Sequence, residues 1–231
     1  MSQIIGLGGF SGSGKSSSLA TLIPEETFII SCTPKQLSIP GFRRKYTKLT
    51  KDSDGNYVGN WYHSNEFSKV TNILKVVNSK RPDIKVLVID DANYLLSQEL
   101  MSRALEKGYD KHTELAMHYY DLIMLAMTMR DDLTVVFISH IVNDGNDMDP
   151  KYKLFTTGKL LDRSVNIDGL FNYLIYAEKL SEVDGTVDYK FRTRSLGPDT
   201  CRSTAGCFEE TYVAPDMKYV IDTINKFELG E

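Results

Sequence analysis

Eight residues near the start of the chain, Gly9-Phe10-Ser11-Gly12-Ser13-Gly14-Lys15-Ser16, fit the spacing G-x-x-x-x-G-K-[ST] at every fixed position. Glycine at 9, 12 and 14 lets the backbone take positive φ angles and approach a ligand without Cβ atoms, so N–H donors can ring a polyphosphate. Lys15 would neutralise the β- and γ-phosphates and Ser16 would offer a hydroxyl to Mg²⁺. The N-terminus of the following helix, entered through Ser17, would add partial positive charge. With Ser11 and Ser13 in the loop, these residues form the candidate nucleotide-binding set. The competing reading is a Gly/Ser-rich turn that matches by chance. It must explain why an apolar run (Ile4 to Leu7), the loop and a helical segment (Ser16 to Leu22) fall in register.

A second chemical constellation lies further on. Ile84 to Asp91 is an apolar strand ending in two carboxylates, Asp90 and Asp91. An acidic residue at the carboxyl end of a strand beside the phosphate loop is placed to hold Mg²⁺ through its water shell. The alternative is an Asp pair capping the next helix. Leu133 to Ser139 is a further buried strand that ends in Ser139-His140. There His140 is either a sensor reaching the γ-phosphate and its attacking water or a hydrogen-bonded structural histidine.

These groups need a scaffold, and the apolar runs supply one. Thr27 to Cys32 reads as a strand buried on both faces, hence inside a parallel sheet. Asn65 to Ser79 carries Phe67, Val70, Ile73, Leu74 and Val77 at helical spacing, with Asn65 as N-cap. Thr113 to Arg130 does the same with Leu115, Tyr119, Leu122, Ile123, Ala126 and Met129. Gly169 to Ala177 and Val187 to Thr193 read as an antiparallel pair, joined by a turn at Asp184-Gly185, and Asp216 to Phe227 as a terminal helix. Thr33 to Thr50 is an extended basic excursion in which Arg43, Arg44 and Lys45 lie between Phe42 and Tyr46. It is either a nucleic-acid contact, with the two rings stacking on bases, or a solvated face. Val142 to Leu161, with Lys153 and Lys159, is a long polar loop of the kind that carries function.

Composition bounds the rest. The chain has 231 residues, and 27 Lys/Arg against 31 Asp/Glu leave a formal charge of −4, so any nucleic-acid contact must come from local patches. Length and the lack of a linker-like tract favour a single domain over 1–231, with a core over 1–178 and a hairpin and helix over 179–231. Three cysteines without a C-x-x-C pair point to a reducing compartment. The start of the chain leaves no room for a signal peptide, and no apolar run is of membrane-spanning length; the expectation is a cytoplasmic protein with no membrane partner.

The order of these elements resembles the RecA-like branch of P-loop ATPases, an α/β fold with a mostly parallel central sheet and a C-terminal antiparallel hairpin. More narrowly, the chain resembles phage ATP-binding proteins of the AAA-domain nucleotide-binding type, which include RecA-like single-strand annealing recombinases. The likeness rests on the phosphate loop, Pro34-Lys35-Gln36-Leu37 with Gly41-Phe42 and Tyr46, and Val88-Ile89-Asp90-Asp91. It extends to Thr157-Gly158-Lys159-Leu160-Leu161-Asp162 with Gly169-Leu170-Phe171, and to Arg202-Ser203-Thr204-Ala205-Gly206-Cys207-Phe208-Glu209.

That resemblance implies ATP and Mg²⁺ binding, a homo-oligomer or filament, and action on single-stranded DNA in recombination or replication, with a single-stranded DNA-binding protein as a further partner. The location would be the host cytoplasm. Arg43, Arg44, Lys45, Lys153 and Lys159 are the candidates for DNA contact or action in trans. One departure stands out. RecA carries a catalytic Glu at the end of the strand after the phosphate-loop helix, whereas this chain reads Ser31-Cys32-Thr33. Asp91 is the substitute candidate, so the catalytic set is Lys15, Asp90, Asp91 and His140. Two alternatives to a DNA-stimulated ATPase are an ATP-dependent assembly module with little turnover and a P-loop kinase of a small acceptor with Arg43 and Arg44 as a lid.

Overall fold

The computed structural model describes residues 1–146, 148–157, 161, 165–181 and 185–231. In chain order the elements are β1 (Gln3–Gly9), β2 (Thr27–Ser31), α1 (Phe42–Lys45), β3 (Thr50–Lys51), β4 (Tyr57–Val58), β5 (Trp61–His63) and α2 (Phe67–Lys80). They continue with β6 (Val86–Asp90), α3 (Asn93–Ser102), α4 (Asp110–Met127), β7 (Thr134–Asn143), β8 (Tyr152–Leu154), β9 (Tyr173–Ser181), β10 (Val187–Arg192), β11 (Tyr212–Val213) and α5 (Met217–Leu229).

Among the described residues a 9-stranded sheet runs β11-β10-β9-β1-β7-β6-β2-β5, with β8 paired to β7. From β9 to β5 every pairing is parallel, while β10 and β11 add an antiparallel edge. This is the expected mostly parallel α/β sheet with a C-terminal antiparallel hairpin. Its central strands are buried on both faces, which is why they read as unbroken apolar runs rather than alternating ones.

Alternate strand residues feed two cores. Phe28, Ile30, Leu87, Ile89, Val135 and Phe137 pack under α2, α3 and α4. Ile29, Val88, Val136 and Ile138 pack with Leu19, Phe42, Tyr46 and the Val220 and Ile224 side of α5. The α2 and α4 stripes are buried at each position that periodicity selects. No helix among the described residues is long and apolar enough to cross a membrane.

Several local expectations are corrected. Ser16–Thr21 is a six-residue 3₁₀ turn rather than an α-helix. Ser18 Oγ donates to the Lys15 carbonyl and Thr21 Oγ1 to that of Ser18, bonds that compete with regular helix, and Ile23 before Pro24 is extended. The Asp90 strand is not beside the phosphate-loop strand, because β7 lies between β6 and β1. β7 does not stop at Ser139: it runs to Asn143 and folds back on β8, pairing Ile141 with Leu154, so part of the expected polar loop is a hairpin. Helix α2 starts at Phe67 with Glu66 at the cap position, not Asn65. The basic excursion holds the helix α1, and Phe42 and Tyr46, stacked at 5.2 Å, are buried in the core, which removes them as base-stacking platforms. Asp184 of the expected hairpin turn lies outside the described residues.

Candidate functional site

Strands β1, β6 and β7 all end at one edge of the sheet, so the turns that follow them converge. The phosphate loop leaves β1 at Gly9. Gly12 and Gly14 hold φ of 76° and 87°, the left-handed region the loop needs. Gly9 serves differently: a Cβ there would lie 2.5 Å from Ser13 Oγ and 2.7 Å from the Ala177 carbonyl of β9.

Lys15 is 6% exposed, and its ammonium donates to the carbonyls of Gly9 at 2.7 Å and Phe10 at 2.9 Å. Burial pulls its pKa down to about 8 against the opposing pull of Asp91 and Asp90. Ser16 Oγ donates to Asp90 Oδ1 at 3.0 Å, so the end of β6 reaches past β7 to the loop. Asp90 is fully buried and its Oδ2 has no hydrogen-bond partner among the described residues. Burial first, then the Asp91 charge, pushes its carboxyl up to about 7. A buried carboxylate with a free oxygen beside a serine hydroxyl, under a glycine cradle, suits Mg²⁺ as a hard cation with oxygen ligands.

Asp91 turns the chain from β6 into α3 with φ 58°, and its side chain is 2% exposed. Its Oδ2 accepts from Thr33 Oγ1 at 3.2 Å and pairs with Lys35 Nζ at 2.7 Å, while His140 Nε2 stands 3.6 Å from Oδ1. His140 sits opposite Gly9 in the β1/β7 register. It shares the face of Val136 and Ile138, whereas Ser139 points to the opposite face. Burial, then the Lys15 charge, lowers the His140 pKa. Burial is the largest single influence on Lys35 and works against its charge, but the hydrogen bond to Asp91 together with the charges of Asp91 and Asp90 outweighs it and holds that ammonium above its ordinary value.

A cavity of about 140 Å³ is lined by Ser11, Gly12, Ser13, Gly14, Lys15, Ser16, Ser17, Lys35, Ser38, Asp91 and His140. An adjoining one of about 410 Å³ is lined by Gly12, Gly14, Ser17, Ser18, Tyr189 and Pro215. The structure thus brings the phosphate-loop residues together with Asp91 and His140, and Ser16 ties Asp90 to them. It adds Lys35, Ser38, Tyr189 and Pro215, which spacing did not single out. Lys35 stood in the sequence as part of a basic run and of the Pro34-Lys35-Gln36-Leu37 stretch, without a role at the site, and nothing local in the sequence relates Tyr189 to Gly14, 175 positions away by the difference of their numbers.

The remaining candidates lie outside the cavity. Arg43, Arg44 and Lys45 are exposed on α1. Lys153 pairs with Asp144 at 3.2 Å across the β7–β8 hairpin, and Lys159 lies outside the described residues. Arg192 is buried between Glu178 and Asp199, and Arg194 donates to the carbonyls of Phe208 and Glu209.

No family model matches the sequence, and no curated protein does. Among solved structures the chain is similar to the X-ray structure of the ATPase DotB of Legionella pneumophila. The identity is 12% and the TM-score 0.39, over 84% of this chain and 46% of that one. This chain therefore spans less than half the length of that protein.

Proposed function

We propose that the chain binds ATP with Mg²⁺ and hydrolyses it, working as an oligomer on single-stranded DNA. The observation that carries the nucleotide reading is the Ser16–Asp90 hydrogen bond of 3.0 Å, with an unpartnered buried Asp90 oxygen, beside a lysine seated under a glycine cradle. The phosphates would lie in the smaller cavity. The base would lie in the adjoining one against Tyr189, whose Cδ1 stands 3.4 Å from where a Cβ at Gly14 would be. Mg²⁺ would be held at Ser16 and Asp90 and would offset the charge on the β- and γ-oxygens.

Lys15 would exchange its two loop carbonyls for phosphate oxygens, restoring stronger charge-assisted bonds to a buried ammonium. Asp91 would orient water. The water oxygen bonds to the γ-phosphorus as the bond from that phosphorus to the bridging oxygen breaks, ADP keeps the electron pair, and the water proton passes through Asp91 to the released phosphate. His140, 3.6 Å from the other Asp91 oxygen, would face the γ-phosphate side of the cavity as the sensor candidate. DNA action and assembly are supported by the family resemblance and by the exposed triad on α1 next to the segment that lines the phosphate cavity.

The test is calorimetric titration with Mg-ATP together with a phosphate-release assay. Lys15→Ala should abolish binding, and Asp90→Asn should keep nucleotide binding and lose Mg²⁺-dependent turnover. Unchanged hydrolysis in either variant sinks the site. One observation favours the low-turnover assembly module: Asp91 Oδ2 is already occupied by Thr33 and Lys35.

A further inference from the structure

We propose that Lys35 is a γ-phosphate sensor that latches Asp91 in the empty site and releases it when a nucleoside triphosphate enters. The inference rests on the nucleotide-binding reading above. Among the described residues two lysines line the phosphate cavity, and they differ in freedom. Lys15 is buried and fixed by two carbonyls. Lys35 comes from the loop after β2 and its side chain is 58% exposed, while the Asp91 carboxylate it touches at 2.7 Å is 2% exposed. In that pair the lysine can move and the carboxylate cannot. Asp91 is held from both sides, by the φ 58° turn behind it and by the Thr33 hydroxyl in front.

Lys35 therefore has two partners competing for it. With the site empty, the carboxylate takes it. A terminal phosphate in the cavity brings a larger negative charge within reach of the same flexible stem, and the charge-assisted bond shifts to the phosphate. Asp91 Oδ2 is then left with Thr33 alone and can accept from water. A diphosphate, lacking the terminal group, leaves the latch closed. Position 35 follows the strand end where the chain lacks the RecA-type glutamate, so that loop supplies a cation that governs the base instead of supplying the base itself.

The experiment is a double-mutant cycle on nucleotide affinity. Mg-ADP and the Mg complex of the non-hydrolysable triphosphate adenylyl imidodiphosphate are titrated into wild type, Lys35→Ala, Asp91→Asn and the double variant, with thermal melts to confirm folding. Lys35→Ala should weaken the triphosphate about tenfold and the diphosphate by less than about twofold. Asp91→Asn should tighten the triphosphate about threefold by freeing Lys35, and in the Lys35→Ala background it should change nothing. Equal weakening of both nucleotides by Lys35→Ala overturns the latch. So does the same tightening by Asp91→Asn with and without Lys35, which would be bare repulsion between carboxylate and phosphate. Wild type that binds neither nucleotide overturns the nucleotide reading and the latch with it, whereas binding of both with a flat cycle removes the latch alone.

Discussion

At the scale of single residues, the three loop glycines serve different ends and should fail differently. Gly12 has open space around its missing Cβ, so Gly12→Ala meets only the left-handed backbone penalty, about 1–2 kcal/mol. Gly9 faces the fixed Ala177 carbonyl at 2.7 Å, so Gly9→Ala must push strand β9 away from β1. We expect about 1–3 kcal/mol of overpacking and loss of nucleotide binding, read from urea midpoints and titration; a Gly9→Ala chain that binds normally would refute the close approach. His140 gives a pH prediction. It faces Lys15, Lys35 and Asp91 and the ring of Tyr94, and burial with the Lys15 charge holds it below its ordinary 6.5, so the folded chain favours the neutral ring. That contribution is whole above 6.5 and is lost as pH falls through the lowered folded value. Between about pH 7.5 and about pH 5.5 wild type should lose more stability than His140→Gln, and parallel losses would exclude the effect. That the phosphate loop and Asp90 come together was legible, because each stands out by local spacing. The contact of Lys35 with Asp91 was not, because it exists only once the loop after β2 folds back over Asp91.

At the scale of elements, α5 stabilises the turn that presents the phosphate loop. Ser16–Thr21 is too short to hold itself, and it is backed by Val220, Ile221 and Ile224 of α5 through Leu19 and Leu22, with Lys218 N donating to Thr21 Oγ1 at 3.2 Å. The Asp216 carboxylate caps α5 by accepting from Tyr219 N at 2.9 Å. Asp216→Ala should therefore cost about 1 kcal/mol. Ile224→Ala on α5 and Leu74→Ala on α2, each fully buried, should both cost about 2–5 kcal/mol in denaturation. Only Ile224→Ala should also lower nucleotide affinity, since α2 lies across the sheet; equal affinity losses would show that the turn does not depend on α5. The buried stripes of α2 and α4 were legible from periodicity alone. The far end of β7 and its partner β8 were not, because His140, Asn143 and Lys153 interrupt the apolar pattern that marks a strand, and pairing along the backbone does not need it.

At the scale of the whole molecule, a chain of formal charge −4 can attract a polyanion only where its cations are gathered. Arg43, Arg44 and Lys45 meet that need on α1. The helix is pinned to the core by Phe42 and Tyr46, and it leads back through Ile39 and Ser38 to Lys35 at the phosphate cavity. A contact made there would be electrostatic rather than stacking, since both neighbouring rings are buried. Affinity for single-stranded DNA should then fall steeply with salt, each neutralised phosphate adding about 0.7 to the slope of log affinity against log salt. Reversing all three charges to Glu should flatten that slope by about 2 while leaving nucleotide affinity unchanged, because none of the three lines either nucleotide cavity. Fluorescence anisotropy with a labelled oligonucleotide from about 50 to about 200 mM salt, with and without the non-hydrolysable triphosphate, reads the slope, and calorimetric titration reads the nucleotide affinity. An unchanged slope returns α1 to the role of a solvated face. A flattened slope that appears only with triphosphate bound would tie the DNA contact to the cavity through the single segment that joins them.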